Sequence, residues 1–176
     1  GLMRARSNCL YGIVNGIDYD EYNPETDPFI AQHYNARTFR KEKIKNKRAL
    51  QQELGLEQND GRFLIGIVSR LTDQKGFDLI AYMMDEMCQQ DLQFVILGTG
   101  EEKYENMFRH FAWKYPGKVS ANIFYSEGLS HKIYAACDAF LMPSLFEPCG
   151  LSQLMSLRYG TIPIVRETGG LKDTVW

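Results

Sequence analysis

Residues 63–97 read FLIGIVSRLTDQKGFDLIAYMMDEMCQQDLQFVIL. Two apolar runs, Phe63–Val68 and Leu92–Leu97, flank a stretch of different periodicity. A short, continuous apolar run rich in β-branched residues is what a parallel strand covered on both faces requires. Between the runs, Phe77, Ile80, Met83, Met84 and Met87 fall on one side of a helix over 76–89. Strand, helix, strand in about 35 residues is the βαβ unit.

The same alternation continues toward the C-terminus. A helix spans 101–114 and ends at Tyr115-Pro116-Gly117, and Lys118 to Tyr125 follows as a strand. Ser130 is the candidate N-cap of a short helix through Ala136. Ala139–Met142 is a strand, 150–159 a helix and Thr161–Val165 a strand, after which Gly169-Gly170 opens a further helix. Repeated units of this length predict an α/β fold with a doubly wound parallel sheet of the Rossmann-like kind.

Toward the N-terminus the pattern dissolves. Residues 1–36 are rich in Gly, Asn, Asp, Pro and Tyr, with a short strand expected at Leu10–Val14 and a turn at Asn15-Gly16. A long irregular stretch is uncommon within a compact domain, so 1–36 reads as an interdomain connection and the start of a domain filling 37–176. Residues 37–54 carry a basic run from Arg37 to Arg48 that ends in a helix stopped by Gly55. That run reads as a polyanion site or as a solvated helix face. The absence of regularly interleaved aromatics favours the solvated face.

Composition narrows the function classes. With 44% hydrophobic and 24% charged residues the chain is no disordered segment. A net charge of −2 supplies no global field for nucleic acid or anionic membrane. No apolar run approaches the ~18 residues of a membrane helix, and GLMRARSNCL holds no signal-peptide core. Cys9, Cys88, Cys137 and Cys149 are dispersed, which suits a reducing compartment rather than a disulfide framework. His33, His110 and His131 are equally scattered; none is read with a second ligand at short spacing, and no metal site is expected. The chain does not begin with Met and stops inside its β-α pattern, so we expect a piece of a longer protein truncated at its C-terminus.

In doubly wound sheets ligands bind beyond the carboxyl ends of the strands, so the residues after each strand matter most. Ser69 to Gly76 carries Arg70 and Lys75 in a loop entering a helix, a pairing of planar fork and mobile point charge that suits a diphosphate. Read blandly, these are ordinary surface charges. Gly98-Thr99-Gly100 begins a dinucleotide fingerprint, but Lys103 stands where the third glycine would be, and the pair reads first as a tight turn. Tyr125 is either a ring covering a flat ligand or a packed aromatic. Glu147 precedes Cys149-Gly150-Leu151-Ser152, where helix-start N–H groups are free. There a carboxylate could meet sugar hydroxyls while amides meet phosphates, or it could only complement the helix dipole. Gly169-Gly170 is again a place for close backbone approach.

These residues carry a resemblance. SRLTDQKGFDL (69–79), YSEGLSHKIYAACDAFLMPSLFEPCGLSQL (125–154) and RETGGLKDTV (166–175) resemble the bacterial glycogen synthases and plant starch synthases, and NGIDYDEYNPETD (15–27) resembles the segment linking their two domains. The resemblance implies a GT-B glycosyltransferase that moves glucose from ADP-glucose to the non-reducing end of an α-1,4-glucan with retention and without metal or other cofactor. It implies that this chain is most of the C-terminal, donor-binding domain. The glucan would sit on a missing N-terminal domain, and this piece alone would be inactive. A bacterial cytoplasm or a plant plastid is the implied location. Arg70 and Lys75 would neutralise the departing ADP, Tyr125 would lie near the adenine, Glu147 next to the glucose, and Cys149, Gly150, Leu151 and Ser152 against sugar and phosphates. Gly169 and Gly170 echo a glycine loop of the first domain. In relatives with two loop glutamates the second lies seven residues on, at Leu154 here, beside the polar Gln153. Other transferases of this architecture, making sucrose, trehalose phosphate or cell-wall glycan, are the rival reading. A glucan-binding module without catalysis is another.

Overall fold

The computed structural model describes residues 1–175; Trp176, the last residue of the expected domain, lies outside them. Five parallel strands form one sheet: β1 (Phe63–Val68), β2 (Leu92–Leu97), β3 (Val119–Asn122), β4 (Ala139–Met142) and β5 (Ile162–Val165). Their spatial order is β3-β2-β1-β4-β5, all neighbours parallel. Helices α1 (Leu2–Ala5), α2 (Phe39–Glu53), α3 (Phe77–Met87), α4 (Glu102–Lys114), α5 (Glu127–Ala136), α6 (Ser152–Arg158) and α7 (Gly169–Thr174) complete the chain. This is the doubly wound α/β sheet expected.

Strand alternation assigns the two faces. Ile65 and Ile67 of β1 and Phe94 and Ile96 of β2 meet Phe77, Ile80 and Met84 of α3 and Phe108 and Phe111 of α4. Leu64, Val95 and Leu97 point the other way, onto Leu50 of α2 and Leu129 and Ile133 of α5. Each fully buried side chain of this size contributes about 1.5–3 kcal/mol, which is why the central strands carry no polar break on either face except Gln93. That amide is buried but satisfied, accepting from Gln51 at 2.7 Å and donating to the carbonyls of Glu57 and Gly117.

Several expectations are corrected. Leu10–Val14 forms no strand; it is exposed and finds no ladder partner. β3 stops at Asn122 rather than Tyr125, because it lies at the sheet edge and pairs with β2 only over 119–122. α5 is capped by Ser126, whose Oγ accepts the N–H of Leu129 at 3.2 Å, so Ser130 lies inside the helix and donates to the Glu127 carbonyl.

The basic run of α2 is also more than a solvated face. Lys43 turns inward, its Nζ donating to the carbonyls of Tyr134, Ala135 and Tyr159 and to Thr161 Oγ1, and burial draws its pKa down to about 8. Lys47 is buried as well and pairs with Asp138 at 2.7 Å. The other Oδ2 partner of Asp138 is the N–H of Leu64, so this carboxylate joins α2, β1 and β4.

The segment 18–34 has little regular structure, yet it is fastened to the domain. Asp27 is 1% exposed and accepts from His131 Nδ1 at 2.7 Å and from the Tyr159 hydroxyl. Tyr34 donates its hydroxyl to the Tyr159 carbonyl at 2.8 Å, and Arg158 donates to the Tyr22 carbonyl at 3.1 Å. The Tyr22 and His131 rings stack at 4.9 Å.

Candidate functional site

The order β3-β2-β1-β4-β5 places the topological switch between β1 and β4, where successive connections run to opposite sides. Two cavities open there, beyond the strand ends. One, of about 170 Å³, is lined by Ser69, Arg70, Lys75, Pro143, Ser144 and Ser152 among others. The second, of about 430 Å³, is lined by Tyr22, Arg70, Gly98, Thr99, Tyr125 and Ser152 among others. Arg70, Ser69, Val68 and Ser152 belong to both, so the two form one groove.

The loops after β1 and β4 are bound to each other. Leu145 donates its N–H to the Gln74 carbonyl at 2.9 Å, and Gln74 Nε2 donates to the Phe146 carbonyl at 3.0 Å. This brings Lys75 Nζ to 2.6 Å from Glu147 Oε2, with both side chains about 85% buried (15% and 13% exposed). Ser144, fully buried, stands 3.4 Å from the same oxygen. Glu147 is therefore no helix-dipole charge; it is packed against Lys75, which lines the smaller cavity, and itself lines neither cavity. Arg70 is exposed and has no ion-pair partner among the described residues.

Tyr125 is 88% exposed on the wall of the larger cavity, so it is not a packed aromatic. Ser152 lines both cavities, while Cys149, Gly150 and Leu151 form the turn behind Glu147 and line neither. The N–H groups of Gly150, Leu151 and Ser152 donate to no acceptor among the described residues. Gly169 and Gly170 meet backbone: the Gly170 N–H donates to the Glu147 carbonyl at 3.0 Å, and a Cβ on Gly170 would stand 2.4 Å from Cys149 Cα.

The Gly98-Thr99-Gly100 turn has a packing cause as well. A Cβ on Gly98 would lie 1.8 Å from the Ser69 carbonyl oxygen, under the floor of the groove. Backbone cannot yield as a side chain would. Gly98→Ala is expected to cost about 3 kcal/mol and to lower the melting temperature; unchanged thermal unfolding would show that the two loops do not need this contact.

Sequence reasoning missed Ser144, Glu21 and Tyr22. Ser144 stands two residues past β4, where the strand-end rule points. Glu21 and Tyr22 come from the distant N-terminal segment and carry no local signal. The histidine reading is corrected too. Glu127 precedes His131 by one turn of α5, and with Glu21 each offers a ligand atom within 4.8 Å of the others. His131 already engages Asp27 through Nδ1.

Comparison with known proteins places this geometry. The family model for glycosyl transferases group 1 matches residues 49–176. The glycogen synthase of Lachnospira eligens is 78% identical over 99% of this chain, and that of Lachnoclostridium phytofermentans 75% identical over 99%. The chain spans 37% of the length of each. A solved structure, the catalytic domain of starch synthase IV from Arabidopsis thaliana bound to ADP and acarbose, superposes with a TM-score of 0.91 at 42% identity, covering 99% of this chain and 36% of that one. No helix among the described residues is long and apolar enough to cross a membrane. The sheet, the groove at its switch point and the matched residues agree: this chain has the Rossmann-like fold of GT-B enzymes and belongs to the glycosyl transferases group 1 family, within which it is similar to glycogen and starch synthases.

Proposed function

We propose that this chain provides the donor site of a glucosyltransferase that lengthens α-1,4-glucan from ADP-glucose with retention. The observation that carries the reading is the Lys75–Glu147 pair at the edge of two joined cavities, whose walls hold Lys75, the unpaired Arg70 and the exposed ring of Tyr125. The adenosine occupies the larger cavity against the exposed ring of Tyr125. The diphosphate crosses Arg70 and Lys75 and meets the free N–H of Ser152, which lines both cavities. The glucose enters beside Glu147, with Cys149 to Ser152 behind it and Gly169-Gly170 bracing that turn.

Negative charge gathers on the departing diphosphate as the glycosidic bond breaks. Arg70 and Lys75 neutralise it without reorganising. Glu147 orients the sugar hydroxyls and supports the oxocarbenium-like state. The bound phosphate takes the proton of the incoming glucan hydroxyl on the same face, which returns the original configuration. No metal enters this scheme, because the two cations stand where one would act. The adenine preference draws support from the 42% identical Arabidopsis structure, whose bound nucleotide is ADP. The glucan, the rest of the cleft and a cytoplasmic location belong to the same reading.

Calorimetric titration with ADP, ADP-glucose and UDP tests it. ADP is expected to bind, UDP more weakly, and Arg70→Ala to weaken ADP about tenfold, the loss of one charge-assisted contact. UDP tighter than ADP would overturn the adenine assignment. A chain that is folded by circular dichroism and binds neither would overturn the donor site.

A further inference from the structure

Gln153 is fully buried, and the mechanism above gives it no task. The two hydrogens of its Nε2 are shared among three acceptors, the carbonyls of Cys149 at 3.0 Å and Gly150 at 3.1 Å and Thr174 Oγ1 at 3.1 Å. The Thr174 hydroxyl in turn donates to the Gly170 carbonyl at 2.7 Å. The amide orientation is fixed, since turning it over would set Oε1 against two carbonyls. Oε1 itself has no partner and is sealed from water. It fills the space a side chain on Gly150 would need, 2.3 Å from an ideal Cβ there, and Gly150 holds a left-handed φ of 73°. A buried carbonyl oxygen without a donor is unfavourable, and an apolar side chain of equal size would avoid it. What the amide adds is the set of Nε2 bonds.

Those bonds form a strut. The turn after Glu147 is tied through Gln153 to Thr174 in α7, while the Glu147 carbonyl is tied to the Gly170 N–H at the start of the same helix. Both ties fix the backbone that carries Glu147. We propose that Gln153 is a positioning residue for the donor site: its amide clamps the 149–150 turn onto α7 and so sets where the Glu147 carboxylate meets Lys75. The proposal rests on the donor-site reading. It also predicts a split, because Arg70 and Lys75 stand on the opposite loop, which Gln153 does not touch.

The test grafts this chain into the Lachnospira eligens glycogen synthase in place of the segment it matches. Gln153→Met keeps the volume and removes every amide bond; Thr174→Val removes the far anchor together with its bond to the Gly170 carbonyl. Gln153→Met is expected to lower kcat tenfold or more while ADP affinity, by calorimetry, changes less than threefold. Thr174→Val should move kcat in the same direction by threefold or more, and the double variant should fall no further than Gln153→Met. A kcat within twofold of the parent would overturn the proposal whatever the melting temperature does. So would kcat and ADP affinity falling together in step with lost stability, the mark of a merely structural amide. If Gln153→Met does not fold, Thr174→Val decides by the same criteria. A parent graft that neither binds ADP nor transfers glucose overturns the donor-site reading and this proposal with it, whereas an active parent with unaffected variants overturns this one alone.

Discussion

Lys75→Ala is expected to lower glucosyl transfer by about a hundred- to a thousandfold in kcat, the loss that follows removal of one group stabilising transition-state charge. Two effects combine. In the proposed reaction the departing diphosphate loses a cation, and Glu147 loses the partner 2.6 Å away that holds its carboxylate. Once Lys75 is gone, the Glu147 Oε2 contact that remains is Ser144 at 3.4 Å. Lys75→Arg should restore only part of the rate, since a planar fork cannot take the place of a compact ammonium in so enclosed a position. Glu147→Gln should be similarly damaging, and the double variant should be much less than multiplicative, as for residues that act as a unit. Steady-state kinetics on the grafted enzyme decides. A Lys75→Ala variant within fivefold of the parent in kcat would remove the pair from the chemistry.

The second large effect is on stability. Asp27→Ala is expected to cost about 3–5 kcal/mol, the range for stripping one partner from a buried charged cluster, or roughly 10 °C or more in Tm for a chain of this size. Burial alone would raise the Asp27 carboxyl, but the hydrogen bonds from His131 and Tyr159 outweigh it and hold the group below the usual carboxylate range. A carboxyl with a depressed folded pKa stabilises above its unfolded value, near 3.9, and that contribution drains away as pH falls through the folded value. The gap between parent and Asp27→Ala should therefore be full at pH 7 and narrow below about pH 4. Urea unfolding at both pH values measures it. A difference under 1 kcal/mol at pH 7 would show that Asp27 is not what fastens segment 18–34.

The strands at 63–68, 92–97 and 139–142 were legible because buried parallel strands are continuous apolar runs ending at turn residues. The same signal misled where pairing decides. Leu10–Val14 is apolar but has no neighbour to bond, and Ile123 to Tyr125 extends an apolar run beyond the last residue that β2 can pair. Ser126 and Ser130 offer the same chemistry one turn apart, and only the Leu129 N–H shows which one caps. Lys43 and Lys47 carry no mark of direction in their residue type; their long stems let them reach carbonyls and Asp138 in the interior. In the candidate site, the position of Arg70 and Lys75 on the groove wall and of Glu147 against Lys75 was legible because all three follow strands. Tyr22 on the groove wall and the bracing of Glu147 by Gly170 depend on residues joined only by the tertiary fold.

The sheet order also governs how the protein is made. Ile65 of the central strand pairs with Ala139, and between them the chain must emerge through α3, β2, α4, β3 and α5. During synthesis β1, β2 and β3 can associate first, with the β4 edge of β1 still open. Loop closure of this length is entropically slow, and an open apolar strand edge is a hazard for as long as it lasts. The β1–β4 seam, which closes only after β4 has emerged, is the same seam across which Lys75 meets Glu147. A nascent chain therefore cannot bring the two walls of the groove together until β4 and the loop after it have emerged and paired with β1.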